Sequence, residues 1–527
     1  MKKAGTIIIV CVMVITTIFT GCGKKTADKT QEKTVEKTKE KLELCLSYTE
    51  EEIDYTYDEG DAVFIELNGK EASCESDKVK VSDGKVKIKE GGKYILSGNY
   101  EGSIVVNDDY DSEIVRLVLN GVQIVSEGTA GIYVKDAYET IITLPEGTEN
   151  SITDTEEYVF EDCKEDEPNG TIYSKDNLTI NGTGKLSVNA MYNHGIQSKD
   201  ELKIVSGILS INSKGDGIVG KDSVMIKEAQ VEIISEGDGV KSTSTEENFG
   251  YVYLDNPILK ISAEDDGIHA ENRVVINDGE INIEKSYEGI EGNFIDINGG
   301  KICITSSDDG INATEGSTAG DENNKDMERF KGGFDTDGSD LCINGGYIYI
   351  NAGGDGVDSN GTIHMTGGEL YIDGPVDGGN GAIDYGVSME IERGSLVAVG
   401  SVGMATAPTE GSTQYSVNAA LNSSYEGGKV IQITDSDGNI VLSYTPAKKF
   451  QSVVFSNELL KKGETYTIKV DGQEDSSFTI SEITTNSGNV SQGMGGHRGG
   501  MPGKNGGWPQ DMEPGDRPDM KPEEMPG

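Results

Sequence analysis

An acidic residue followed by Gly and then Ile or Val recurs six times along the chain. The sites are Asp216-Gly217-Ile218, Asp238-Gly239-Val240, Asp266-Gly267-Ile268, Glu288-Gly289-Ile290, Asp309-Gly310-Ile311 and Asp355-Gly356-Val357. The glycines are 22, 28, 22, 21 and 46 residues apart, and Gly195 lies 22 before Gly217. If each interval is one turn of a stacked coil, these acids fall along one edge of the stack. Neighbouring carboxylates about 5 Å apart then repel by about 3 kcal/mol at an effective dielectric of 20. Protonation relieves that repulsion by raising the pKa. Calcium relieves it by gathering six to eight oxygens at about 2.3–2.6 Å. Asp265, Asp308, Asn312, Asp358, Asn360 and Asp384 add oxygens beside the same turns. Taken singly, Asp-Gly is ordinary turn chemistry, so the calcium expectation belongs to the set.

Short strands must position these turns. The unit GIVGKDSVMIKEAQVEIISEGD, beginning at Gly217, alternates apolar and polar residues around Ile218, around Val224 and Ile226, and around Val231 and Ile233. Alternation with period two marks strands of three to five residues, and Asn-Gly and Gly-Gly pairs separate them. Three short strands per repeat of about 22 residues predict a parallel β-helix. Its coils stack about 4.8 Å apart, with Ile, Val and Leu laddered inside. A leucine-rich repeat shares the length but needs a Leu/Asn frame that is missing here, and a propeller blade needs about 40 residues. Residues 100–400 give roughly 11–13 coils and a rod of about 55–60 Å. Residues 60–100 alternate as an N-terminal β cap, which an open coil end requires. The repeat stops at 412. Residues 428–480 then read as longer strands with an Asp-Gly-Asn hairpin at 437–439, a small antiparallel β unit. Residues 314–340 form a polar insertion between coils.

The ends are of another kind. Lys2 and Lys3 precede an apolar run from Ile7 to Phe19 that ends in Thr20-Gly21-Cys22. That is the pattern of a secretory signal. It resembles a bacterial lipoprotein signal, in which Cys22 becomes the lipid-bearing first residue. Lipidation would place the protein on the extracellular face of the cell membrane, with plain secretion as the alternative. The expected division is a signal at 1–21, a lipidated Cys and polar tether at 22–59, a β-helix with its cap at 60–411, a C-terminal β unit at 412–485 and a Gly/Pro/Met tail at 486–527. Net charge is −47 over 527 residues. Signal, tether and tail nearly cancel, so the folded body carries the imbalance. Such a body repels phosphate backbones, which excludes nucleic acid as a partner. Beyond Cys11 and Cys22, the five cysteines show no metal-ligand spacing and read as buried or free thiols.

Several strings carry a resemblance over roughly residues 60–480. They are Ile141-Ile142-Thr143-Leu144 with Gly147-Thr148-Glu149-Asn150; Ile172 to Ile180; Gly354-Asp355-Gly356-Val357-Asp358-Ser359-Asn360-Gly361; Thr366-Gly367-Gly368; Gly381-Ala382-Ile383-Asp384-Tyr385; and Gly403-Met404-Ala405. Together they resemble the pectate-lyase-like, calcium-containing parallel β-helix carbohydrate-binding domain family of anaerobic Gram-positive bacteria. The resemblance implies a right-handed β-helix, bound calcium and binding of cellulose-like or acidic, pectin-like polysaccharides without turnover. Tyr347, Tyr349, Tyr371 and Tyr385 sit on or beside coils as candidate sugar-stacking residues. Their alternative is a packed core ladder.

A lyase or hydrolase on the same fold is the rival reading. Asp265, Asp266, His269 and Arg273 bring carboxylates, an imidazole and a guanidinium within nine residues. Carboxylates about 5 Å apart also match a retaining glycosidase, but any stacked acid ladder gives that separation. Arg273 reads rather as an ion-pair partner of Glu271, and His269 as a coil-turn residue. A cell-envelope rod without a glycan ligand is the third reading.

Overall fold

The computed structural model describes residues 46–108, 113–160, 167–315 and 338–490. Cys22 and most of the 314–340 insertion lie outside these residues. The body is a parallel β-helix of about 12 turns with almost no helix, as the sequence repeat predicts. Three strand columns make its faces.

The first column carries the repeated acidic turns at its entry and is here called the site face. It passes through Ser103–Asn107, Ile132–Asp136, Gly170–Ser174, His194–Ser198, Ile218–Gly220, Val240–Ser242 and on to Val357–Ser359. Ile196, Ile218, Val240, Ile268, Ile290, Ile311 and Val357 pair in strict parallel register. All seven are fully buried. The second face includes Thr140–Leu144, Leu178–Gly182, Glu201–Ile204 and Ser223–Ile226. The third includes Lys185–Ala190, Ile208–Ser213, Gln230–Ser235 and Tyr347–Ala352. On every face the inward positions are mainly Ile, Leu or Val, which removes their surface from water at about 25 cal/mol per Å².

Coil stacking explains the glycine of the repeat. A Cβ at Gly267 would stand 2.6 Å from the Gly289 carbonyl oxygen, and one at Gly289 would stand 2.2 Å from the Gly310 oxygen. No side chain fits where backbone passes this close to backbone.

Both rod ends depart from the coil. Val63–Gly69 pairs antiparallel with Glu71–Ser73 and parallel with Gly92–Glu101, forming the expected N-terminal cap. At the other end, Phe450–Ser456 runs antiparallel to Ser395–Gly400 and to Ser416–Tyr425, so part of the C-terminal unit extends the third face. The remainder is a separate four-stranded antiparallel sheet. Its Ile431–Thr434 and Ile440–Tyr444 strands are joined by the expected hairpin, where Asp435 accepts the Asn439 amide at 2.8 Å. Thr484–Ser487 pairs with the start of Ser416–Tyr425, so ordered chain passes the expected tail boundary.

Residues 46–59 are not a solvated tether. Thr49 and Glu52 form a reciprocal capping box around the short helix Glu50–Ile53. This segment docks on the second face. Arg116 donates to the Glu51 carbonyl at 2.7 Å and Asn181 to the Glu52 carbonyl at 2.9 Å. The Glu52 carboxylate pairs with Lys203 at 2.7 Å, with both side chains nearly buried.

Candidate functional site

The repeat places His194, Asp216, Asp238, Asp266, Glu288, Asp309 and Asp355 one coil apart at the turn entering the site face. Most of these side chains reach the backbone of the next coil. The amides of Asp238, Asp266 and Glu288 donate to the carboxylates of Asp216, Asp238 and Asp266 at 2.8, 2.9 and 3.1 Å. Asp309 takes the Asp355 amide at 2.6 Å, and Asp355 takes the Gly381 amide at 2.5 Å. The turn chemistry and the ladder are therefore one device, in which an acid on one coil caps a donor on the next. Glu288 departs from it, because its longer side chain accepts from the Asn312 amide at 3.0 Å.

A second column stands three residues further on. Gln197, Val219, Lys241, His269, Glu291, Asn312 and Asp358 pair in sequence, and Asp384 follows the Val357–Ile383 bridge. Its composition divides the face. In the middle the protein supplies its own cations. Lys241 Nζ is 2.5 Å from Asp238. Burial opposes its charge, yet Asp238 and Asp216 hold its pKa above the usual lysine value. His269 Nδ1 lies 2.6 Å from Glu291 and 3.3 Å from Asp266. Burial again opposes the charge, but Asp266, Glu271 and Glu291 raise it well above the ordinary imidazole value. His269 is thus an internal cation.

Beyond His269 the carboxylates press on one another. Burial, then Glu291 and Asp266, push Glu288 far above the usual carboxylate range. Burial and Asp358 push Asp309 up to about 7, and burial and Asp309 push Asp355 up to about 8. Asp355, Asp358 and Asp384 offer oxygens that all lie within 4.8 Å of one another. Close by in the second column, Asn312 Oδ1 is buried and has no hydrogen-bond donor among the described residues. A set of carboxylates with an amide oxygen suits a hard cation such as calcium. Two other groupings fit one less well. Asp238, Asp265 and Asp266 also converge, but Lys241 already stands against Asp238. Asp266, His269 and Glu291 converge as well, but an imidazole among the donors suits a softer ion than calcium.

The remaining sequence candidates are placed as follows. Asp308 precedes Asp309 and repels it. The Asn360 side chain donates to Thr314 at 2.8 Å. Arg273 pairs with Asp296 at 2.6 Å and lies over the Phe294 ring, so its partner is on the next coil and is not Glu271. Tyr347, Tyr349 and Tyr371 point out of the rod, because Ile348, Ile350, Leu370 and Ile372 beside them are buried. Two of them meet the C-terminal unit, Tyr371 directly and Tyr349 through Asp373, which also accepts from Tyr444. Tyr371 stacks on Tyr444 with centroids 5.5 Å apart, and Tyr349 donates to Asp373 at 2.9 Å. Tyr347 is 41% exposed. Tyr385 stands apart, its hydroxyl donating to the Ala407 carbonyl at 2.7 Å. Cys74 and Cys303 are free thiols, and the Cys342 thiol donates to Asp340 at 3.4 Å. Glu291, which sequence reasoning missed, was readable as the residue after acid-Gly-Ile once the repeats are aligned as columns.

A family model described as carbohydrate-binding domain-containing protein matches residues 82–325 and 292–378, together more than half of the chain. A carbohydrate-binding domain-containing protein of Acetivibrio thermocellus is 42% identical over 138 residues, 26% of this chain and 48% of that one. The chain thus spans about half the length of the curated relative it matches. A solved structure titled as a polysaccharide lyase-like protein from C. thermocellum, in a gadolinium derivative, is 34% identical. That match covers 45% of this chain and 92% of the other, with a TM-score of 0.41. The chain belongs to the carbohydrate-binding domain-containing family.

Proposed function

We propose that this protein is a non-catalytic, extracellular polysaccharide-binding lipoprotein that uses calcium to hold cellulose-like or acidic, pectin-like glycans. The observation that carries the reading is the convergence of Asp355, Asp358 and Asp384 on the site face of a carbohydrate-binding chain. These three, with Asp309 and the Asn312 amide oxygen beside them, would hold the ion. Calcium supplies positive charge at a surface that otherwise repels an acidic polymer. The protein's own residues fix the ligand oxygens through backbone hydrogen bonds on successive coils. Lipidation at Cys22 would fix the rod to the membrane surface.

A lyase needs a basic group beside the calcium to abstract a proton. Arg273 is held by Asp296 and Phe294, in the strand following the His269 turn and three coils before Asp355. That placement supports binding over turnover. The test is a panel of insoluble cellulose and polygalacturonate, each with calcium and with EDTA. Calcium should raise both the melting temperature and the affinity for polygalacturonate, and Asp355→Asn with Asp384→Asn should remove both increments. An affinity unchanged by EDTA refutes the calcium bridge. Unsaturated product absorbing above the buffer rate refutes the non-catalytic reading, and a spacer rod would bind nothing on the panel.

A further inference from the structure

Three coils before Asp355, the site face gathers donors of a different kind. Asp266 and His269 stand on one coil, and Glu291 stands on the next, in register with His269. One ring nitrogen and one oxygen from each carboxylate all lie within 4.8 Å of one another. His269 Nδ1 is the centre of the group, 2.6 Å from Glu291 and 3.3 Å from Asp266. None of the three side chains is more than 19% exposed. Glu288, on the second coil, adds a further acid and donates its amide to Asp266 at 3.1 Å.

The other ring nitrogen has a different setting. Nε2 of His269 is buried and has no hydrogen-bond partner among the described residues. A Glu271 oxygen stands 3.8 Å from it, just beyond hydrogen-bond reach. A metal-bound imidazole characteristically donates its second N–H to a carboxylate, which fixes the tautomer and aims the free lone pair at the ion. Glu271 occupies the place of that carboxylate.

An imidazole with two carboxylates suits a first-row transition ion such as zinc, whereas calcium takes oxygen ligands. Zinc ligands at about 2.0–2.2 Å in a tetrahedral array stand roughly 3.2–3.6 Å apart. The Asp266 oxygen, at 3.3 Å from Nδ1, already has that separation, and the Glu291 oxygen, at 2.6 Å, must withdraw a little. We propose that Asp266, His269 and Glu291 form a transition-metal site, separate from the Asp355, Asp358 and Asp384 cluster, in which His269 coordinates through Nδ1 and Glu271 orients the ring from Nε2. The ion takes the place of the Nδ1 proton, which leaves to solvent. Its ligands come from adjacent coils, so it clips the stack at mid-rod. A fourth position remains for water. The site does not depend on glycan binding.

Zinc titration of the full chain by calorimetry, in excess calcium, tests this assignment. Wild type should bind a single zinc ion that calcium does not displace. His269→Gln should weaken binding by more than about a hundredfold, and Glu271→Gln by about tenfold, the scale of a lost outer partner. Asp355→Asn with Asp384→Asn should leave zinc affinity unchanged. Cobalt(II) in place of zinc should give d–d bands of nitrogen and oxygen ligation, without the charge-transfer band that a cysteine thiolate adds. His269→Gln also strips a cation from an acidic turn, so anomalous diffraction at the zinc edge from wild-type crystals locates the ion without any substitution. The peak should lie within bonding distance of His269 Nδ1. A peak elsewhere, a thiolate band, displacement by calcium, or a His269→Gln variant as tight as wild type overturns the site. Several weak ions with no dependence on His269 are adventitious binding to surface acids and overturn it as well. A Glu271→Gln variant as tight as wild type overturns the orienting role of Glu271.

Discussion

Asp238 gives the sharpest test of how the acid ladder works. Its side chain is 1% exposed. One oxygen accepts the Asp266 amide at 2.9 Å and the other faces Lys241 at 2.5 Å. Asp238→Ala removes both partners. An unsatisfied buried amide costs about 1–3 kcal/mol. Breaking a buried pair costs about 3–5 kcal/mol, reduced here because Asp216 and Asp265 also act on Lys241. The expected total is about 3–5 kcal/mol. Asp238→Asn keeps an oxygen for the amide and loses only the charge, so it should be less costly by about 1–3 kcal/mol. Urea unfolding followed by circular dichroism measures both differences, and an unchanged slope shows that stability alone moved. Because Lys241 already neutralises this coil, the losses should be the same in calcium and in EDTA. Two outcomes would sink the reasoning. One is a pair of variants within about 0.5 kcal/mol of wild type, the range of ordinary surface substitutions. The other is a loss seen only in calcium, which would make Asp238 a metal ligand and not a backbone cap.

Two further predictions concern the segment docked on the second face. Glu52→Ala leaves the nearly buried Lys203 with only Glu201 at 3.2 Å; stability should fall by about 3 kcal/mol, the lower end of the range for a broken buried pair. Adding Lys203→Met should recover most of that loss in the same urea titration, and no recovery would show that the pair is not its source. Glu139, beside this pair, is pushed up to about 6 by burial and by Glu52. Its folded form holds a proton that its unfolded form has released, so it stabilises fully below about pH 4.5 and that contribution is lost as pH rises through about 6. Glu139→Gln should flatten the melting temperature across this window, and an unaltered slope would place the titration elsewhere.

The rod was readable from sequence because its signal repeats. Alternating Ile and Val, and a glycine that coil contact forbids from carrying a Cβ, leave the same trace on coil after coil. The acidic turns were readable for the same reason. What they face was not. Lys241 and His269 occupy single coils, so no periodicity marks them, and their role depends in part on acids a whole coil away in sequence. The setting of the tyrosines was hidden in another way. Alternation correctly turns Tyr347, Tyr349 and Tyr371 outward, but it carries no information about a C-terminal sheet that returns to cover two of them. The segment at 46–59 was hidden by composition. Its polar residues resemble a tether, while the Thr49–Glu52 capping box and the distant Lys203 make it part of the body.

That segment also decides how the molecule bears load. Chain entering at residue 46 meets contacts with Arg116, Asn181 and Lys203 before it reaches the first cap strand at Val63. These partners belong to different coils. Tension applied from the N-terminal side is therefore shared across several turns as shear, with hydrogen bonds and an ion pair strained together. Without this attachment, the same pull would peel Val63–Gly69 from its neighbour one bond at a time. A rod gripping a polymer while held at its N-terminal end would be loaded in this direction.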